Sequence, residues 1–414
     1  MRVAHRIGVL ATISALVVAS APSADGAGHA WFTSWAQSQD GHADAPVSGR
    51  SLRMLTHLSQ GGDAVRVRLQ NTFGTGPLTI GHATAGLSTG GAGVSDVRDL
   101  TFAGRPAVTI PVGGDVWSDE TRLVTSPDTN LAVSMFVAGT ATPGRHGAAL
   151  RDNYLTAPGS GDHAADGSGG AFTSTVGSTY VVSAVDVHNT SLRGTVVPFG
   201  SSVVDGIGST NCGPGCTQLG ADRRWPDDLA RRIVAQAPPS AQLAVANAGV
   251  SGTTSAPSCP GMPPSVAGLD AGSRLDRDVL ALHGVTSVIY YYGTNDLAYG
   301  CDGETILASY RSVFQRLRAA GIAVYVTPST PRPGYDDAAN LARHEIGLFV
   351  SRWSSCGGTC SGVVNFDEVL KDPLKPNTIL PVYENGDGIH ANAAGQQALA
   401  DFVSLPMLAG SARR

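Results

Sequence analysis

Two patterns of hydrophobic and polar positions divide the chain. From 31 to 190 the pattern is short: Ala64-Val65-Arg66-Val67-Arg68-Leu69 alternates apolar and charged side chains, the period of a strand with one packed and one wet face. The runs Ala107–Val112, Leu131–Val137 and Tyr180–Val185 continue it between glycine-rich turns, and no stripe of helical spacing interrupts them. This predicts an antiparallel, jelly-roll-like β-sandwich, with Ala157–Gly170, rich in Gly, Ser, Asp and Ala, as a long mobile loop.

From about Gly194 the pattern changes to strand, loop, helix, repeated. Thr195–Phe199, Leu243–Ala246, Ser287–Tyr292, Ile322–Val326 and Gly362–Phe366 are apolar runs of strand length. Between them, Pro226 suits a helix first turn ahead of Leu229 and Ile233, and Ile306, Leu307, Tyr310, Val313, Phe314 and Leu317 form a helical stripe that stops at Gly321. Strands alternating with helices predict an α/β fold, a parallel sheet covered on both faces. In such sheets ligands bind beyond the carboxyl ends of the strands, so the loops there are where chemistry is sought.

The first residues change the compartment. Met1–Arg6 is a short basic start and Ile7–Ala19 an apolar run that falls short of the roughly 20 residues needed to cross a bilayer. The expected organisation is a signal peptide over 1–30, a β-sandwich over 31–190 and a catalytic domain over 191–414, in a secreted, extracellular, monomeric protein with no transmembrane anchor. Export makes the six cysteines a disulfide framework. Cys212 with Cys216 and Cys356 with Cys360 are near neighbours across small, turn-forming residues, which leaves Cys259 and Cys301 for each other; zinc held by the two C-x3-C pairs is the competing reading, disfavoured by spacing and compartment. A net charge of −5 lacks the basic excess that a phosphate backbone attracts, so nucleic acid is excluded as a partner.

Four loops follow the predicted strands: Gly200-Ser201-Ser202-Val203-Val204-Asp205-Gly206, Asn247-Ala248-Gly249-Val250-Ser251-Gly252, Gly293-Thr294-Asn295-Asp296 and, ahead of a helix beginning near Ala393, Asp387-Gly388-Ile389-His390. Singly, each reads as a turn or a helix cap. Jointly they contain what acyl transfer requires. The Ser202 hydroxyl needs a base, His390 can be that base, and Asp387 can hold the imidazole in one tautomer. The backbone N–H groups of Ser202 and Gly252 and the Asn295 amide can stabilise an oxyanion, the amide without itself titrating. No metal or organic cofactor is required.

These ordered blocks resemble the SGNH (GDSL) hydrolases, esterases and lipases, and in particular secreted bacterial members with an N-terminal β-rich domain. The resemblance covers roughly 194–405 and implies a flavodoxin-like three-layer α/β/α sandwich, with Ser202 as nucleophile, Gly252 and Asn295 in the oxyanion hole, and His390 with Asp387 as base and orienter. Arg66-Val67-Arg68-Leu69 through Asn71-Thr72-Phe73-Gly74 gives the first half a weaker likeness. One position departs: the family's G-D-S opening reads Gly200-Ser201-Ser202, so a serine stands where the family has aspartate, which bears on loop rigidity and pocket polarity more than on proton transfer.

The resulting expectation is a serine esterase acting on short-chain acyl or acetyl esters, small or polymer-linked. Alternatives are a lipase- or phospholipase-type acylhydrolase, an acyltransferase, and a non-catalytic polysaccharide-binding protein whose β half docks polymer. Gly86-Leu87-Ser88-Thr89-Gly90 matches a nucleophile-elbow pattern but lies in the β-rich half without a helix behind it, and is set aside. Tyr290-Tyr291-Tyr292 reads as core rather than as a stacking platform, and His163 and His188 read as solvated loop residues.

Overall fold

The computed structural model describes residues 30–351 and 355–412. The expected signal peptide, up to residue 29, lies outside the described residues. From Trp31 to His188 the chain forms antiparallel sheets. One runs Trp31–Ala36, Val182–His188, Gly62–Gln70, Asp115–Trp117, with Thr121–Thr125 also on Gly62–Gln70; a larger one is centred on Val47–Leu58, Thr129–Ala141 and Leu78–Gly90. Val65, Val67 and Leu69 of the first sheet and Leu52, Met54 and Val133 of the second are fully buried in one shared core, as the alternation required. Gly86-x-Ser88-x-Gly90 sits inside the antiparallel strand Leu78–Gly90, so it has no elbow geometry.

The opposite face of Gly62–Gln70 is not wet. Arg68 is only 4% exposed, pairing with Asp115 at 2.7 Å and donating to the Arg277 carbonyl at 2.8 Å. The expectation of a solvated face fails because the second half of the chain packs on this sheet, and hydrogen bonds such as Thr33 N–H to the His283 carbonyl (3.1 Å) and Val245 N–H to the Ser59 hydroxyl (2.9 Å) weld the two. The segment 157–170, expected to be mobile, is irregular but tied down. Arg53 donates to the carbonyls of Ala92 and Asp166, and Thr84 to that of Ala164. His163 and His188 are partnered rather than merely solvated, each facing a carboxylate at 2.7 Å, Asp166 and Asp63 respectively.

From Thr195 the sheet is parallel, in the order Ala244–Val245, Thr195–Gly200, Val285–Tyr291, Ala323–Val326, Gly362–Val363. In chain order this is 2-1-3-4-5, the flavodoxin-like winding. The order reverses between Thr195–Gly200 and Val285–Tyr291, so a crevice opens at their carboxyl ends. Helix Gly303–Ala319 starts at Asp302, whose side chain accepts from Thr305 N–H, and carries Arg316 and Arg318 in its last turn, both arrangements suiting the helix dipole. Tyr290, Tyr291 and Tyr292 are all buried core residues.

One side chain holds the carboxyl ends of the central strands together. Arg274, 1% exposed, donates to the carbonyls of Gly200 and Ala248 (3.2 Å each), to the Tyr292 hydroxyl (2.6 Å) and to Asp278 (2.8 Å), and lies over the Phe199 ring. Removing it takes a buried, charged donor from each of these acceptors, although Asp278 keeps Arg277 at 2.6 Å and the Gly200 carbonyl keeps Val250 N–H at 3.0 Å. Arg274→Met is therefore expected to lower the unfolding free energy by about 3 kcal/mol, measured by urea denaturation; a change within about 0.5 kcal/mol would show that the guanidinium is not a clamp.

Candidate active site

All four loops named above reach the same rim. Ser202 opens the turn Ser202–Asp205 directly after strand Thr195–Gly200, and the carbonyl of Ser201 accepts the N–H groups of Val204 and Asp205 at 2.9 Å each. Ser201 thus starts the turn through its backbone.

His390 arrives from 188 residues away, in the loop preceding helix Ala393–Phe402, and its Nε2 lies 2.8 Å from Ser202 Oγ. Its Nδ1 lies 2.6 Å from Asp387 Oδ2. A carboxylate there can only accept, so Nδ1 carries the proton and Nε2 presents its lone pair to the serine hydroxyl. Asp387 Oδ1 accepts in turn from the backbone N–H groups of Ile389 and His390, both at 2.9 Å, so the loop holds its own orienting carboxylate.

Gly252 has φ of +80°, a left-handed conformation, and an added Cβ would sit 3.2 Å from Val266 Cγ1. Asn295 lies in the short helix Thr294–Ala298; one proton of its Nδ2 goes to the Thr253 carbonyl at 2.9 Å, which leaves the second available to a ligand. Gly293, at φ +106°, allows this helix to begin hard against Ser329, whose Oγ would lie 2.2 Å from a Cβ. The next residue, Asp296, accepts the backbone N–H groups of Ser255 and Ala256, and the Cys259–Cys301 bridge joins the segments following Gly252 and Asn295. The other two bridges are Cys212–Cys216 and Cys356–Cys360. Among the described residues no group of three or more His, Cys, Asp or Glu is arranged to hold a metal.

The sequence reading overlooked Arg332. Its Nη1 is 3.4 Å from Asn295 Oδ1 and 3.5 Å from the Thr294 carbonyl. With a guanidinium on one side and the Thr253 carbonyl on the other, only one orientation of the Asn295 amide avoids repulsion at both ends. No pattern marks Arg332 in advance, since it lies in an irregular segment after strand Ala323–Val326, with Pro331 and Pro333 on either side.

A hydroxyl, an imidazole and a carboxylate in series, with two glycine-bordered loops and an oriented amide at the switch point of a parallel sheet, form an arrangement suited to carboxylic ester hydrolysis. Residues 199–398 match the model of the GDSL-like Lipase/Acylhydrolase family, and this half of the chain belongs to the GDSL/SGNH hydrolases. No curated protein matches the chain significantly. Similar solved structures include the aryl esterase of M. smegmatis, with 19% identity, TM-score 0.38, and 50% of this chain and 95% of that one covered. A carbohydrate acetylesterase from Sinorhizobium meliloti has 18% identity, TM-score 0.37, and coverage of 50% and 94%. A family two carbohydrate esterase from Clostridium thermocellum has 13% identity, TM-score 0.38, and coverage of 88% and 95%.

Burial pushes the Asp387 carboxyl up, but the His390 side chain and the backbone N–H groups of His390 and Ile389 outweigh it and hold the group at about 2. A depressed carboxyl contributes fully above its ordinary value of 3.8 and is lost only as pH falls through about 2, so the Asp387–His390 contact should survive mild acid. Carboxyl carbon NMR is expected to show Asp387 titrating near 2. A midpoint at the ordinary value would mean that the contact does not form in solution.

Proposed function

We propose that the protein is an exported serine esterase that cleaves short-chain acyl or acetyl esters through an acyl-enzyme. The observation that carries this reading is the unbroken series Asp387, His390, Ser202, with contacts of 2.6 and 2.8 Å. Ser202 Oγ attacks the ester carbonyl carbon as its proton passes to His390 Nε2, and the carbonyl electron pair moves onto oxygen. The N–H groups of Ser202 and Gly252 and the free Asn295 amide proton stabilise that oxyanion. Collapse expels the alcohol oxygen, which takes the proton from Nε2. Water then attacks the acyl-enzyme by the same route, returning the serine and releasing the carboxylic acid. Asp387 keeps its negative charge throughout and stabilises the imidazolium.

Export is supported by the basic-then-apolar start of the sequence and by three disulfides. No helix among the described residues is long and apolar enough to cross a membrane. The site's surroundings favour a small acyl group: Thr253, Thr294, Tyr299, Arg332 and Tyr335 bring polar atoms around Gly252 and Asn295. Each methylene of an acyl chain gains about 0.8 kcal/mol only if it finds apolar cover, and these neighbours offer little.

On p-nitrophenyl acetate, Ser202→Ala is expected to abolish turnover, and Asn295→Ala to lower kcat by on the order of a hundredfold with the fold retained, the worth of one oxyanion donor. Wild-type turnover no greater than that of Ser202→Ala, together with retention on insoluble polysaccharide, would replace this reading with a non-catalytic binding protein.

Across p-nitrophenyl esters of increasing length, kcat/KM is expected to be highest at acetate or butyrate. A maximum at octanoate or longer would indicate a lipase-type acyl pocket instead. Added alcohol that diverts most of the acyl group into a new ester would mark a transferase.

A further inference from the structure

The β-rich half reaches the catalytic rim through one side chain. His146, at the end of strand Gly144–His146 and 1% exposed, places Nε2 3.0 Å from Asp205 Oδ1 and Nδ1 2.7 Å from the Ser38 carbonyl. A carbonyl and a carboxylate can only accept, so both ring nitrogens carry protons and the pair is a buried imidazolium and carboxylate. Burial pushes the imidazole down, but the Asp205 charge outweighs it and leaves His146 raised; burial pushes the Asp205 carboxyl up, but the His146 charge leaves it lowered. The two directions agree on the ion pair. Asp40, whose carboxylate accepts from Gly147 N–H, and Arg224, which donates to the Asp205 carbonyl at 2.8 Å, are the other charged groups around it.

Asp205 joins two parts of the site. It ends the turn that Ser202 begins, and its second carboxylate oxygen accepts from Ser251 Oγ at 2.6 Å, the residue immediately before Gly252. The nucleophile turn and the oxyanion loop are therefore held to one carboxylate. That carboxylate is 2% exposed and would be too costly to keep ionised without an opposing charge. Protonated, it would lose the charge that strengthens its bond with Ser251. We propose that His146 is a positioning residue for ester hydrolysis, through which the β-rich half keeps the nucleophile turn and the oxyanion loop in register, so that the two halves form one catalytic unit. The proposal rests on the esterase reading above. It assigns the β-rich half a part in turnover itself, whatever polymer that half also contacts.

The test compares wild type, His146→Ala, His146→Gln, Asp205→Asn and the double variant His146→Ala/Asp205→Asn on p-nitrophenyl acetate, with kcat referred to the fraction folded by near-ultraviolet circular dichroism. A displacement of about 1 Å in a catalytic loop costs up to roughly a hundredfold, so His146→Ala is expected to lower kcat by about tenfold or more with KM within about twofold. His146→Gln, which keeps one donor towards Asp205, should recover part of the loss. The double variant, with no unpaired carboxylate, should be less impaired than His146→Ala. If His146→Ala does not fold, His146→Gln and Asp205→Asn carry the same comparison. Folded variants with kcat within twofold of wild type, or a loss confined to KM, overturn the proposal. A wild type no faster than Ser202→Ala removes the esterase reading and this inference with it, whereas an active wild type with an equally active His146→Ala removes this inference alone.

Discussion

The active rim depends on how the chain ends three neighbouring strands at one height without water. Two neighbouring strand ends leave carbonyl lone pairs to be satisfied in a buried space, those of Ala248 and of Gly200, which also accepts from Val250 N–H at 3.0 Å. Arg274 fills that need with fixed donors, and Asp278 neutralises it. A lysine has a single charged point and no planar fork, so it could not satisfy two carbonyls, a phenol and a carboxylate together. The turn at Ser202 and the loop to Gly252 both begin at strands anchored in this way, so the clamp sets the base from which Asp205 and Ser251 then hold them together.

A second layer of order lies above it. The groups proposed to act are each held by neighbouring groups of the fold. Asp387 is held by its own loop's N–H groups, Asn295 by Thr253 and Arg332, and the turn at Ser202 by Asp205. The charge on Asp205 is in turn matched from outside the α/β half, by His146. The seam between the halves is consequently dense and polar, with Arg68, Gln60 and Ser59 of the β-rich half bonded to backbone groups of the other. Such a seam resembles a domain interior more than a transient docking surface, because its polar groups are satisfied across the boundary.

Much of this was legible in the residues. The alternation at Ala64–Leu69 and the apolar runs from Thr195 onward identify sheet type because the periods are local and burial acts on each residue separately. The groups proposed to react stood out for a different reason: Ser202, Gly252, Asn295, Asp387 and His390 each sit in a short block whose order along the chain follows the order of the strands. The cysteine spacing suggested Cys212–Cys216 and Cys356–Cys360 in the same local way and left Cys259–Cys301 as the remaining pair. What the periodicity misjudged was Arg68, taken as solvated, and the segment 157–170, taken as free. A charged residue on the far side of a strand looks the same in sequence whether water or another sheet lies beyond it.

By itself, then, the sequence determined the two architectures and marked the residues proposed to react, since these follow from local periodicity and from chemical types. The tertiary structure alone decided that Arg274 would cap three strands, that Arg332 would orient the Asn295 amide, and that His146 would meet Asp205, 59 residues further along. Each of those joins a charged side chain to an acceptor from a distant segment. Such pairings are settled by the low dielectric of the packed interior, where an unpaired polar group is costly, and no spacing along the chain records which partner it will be.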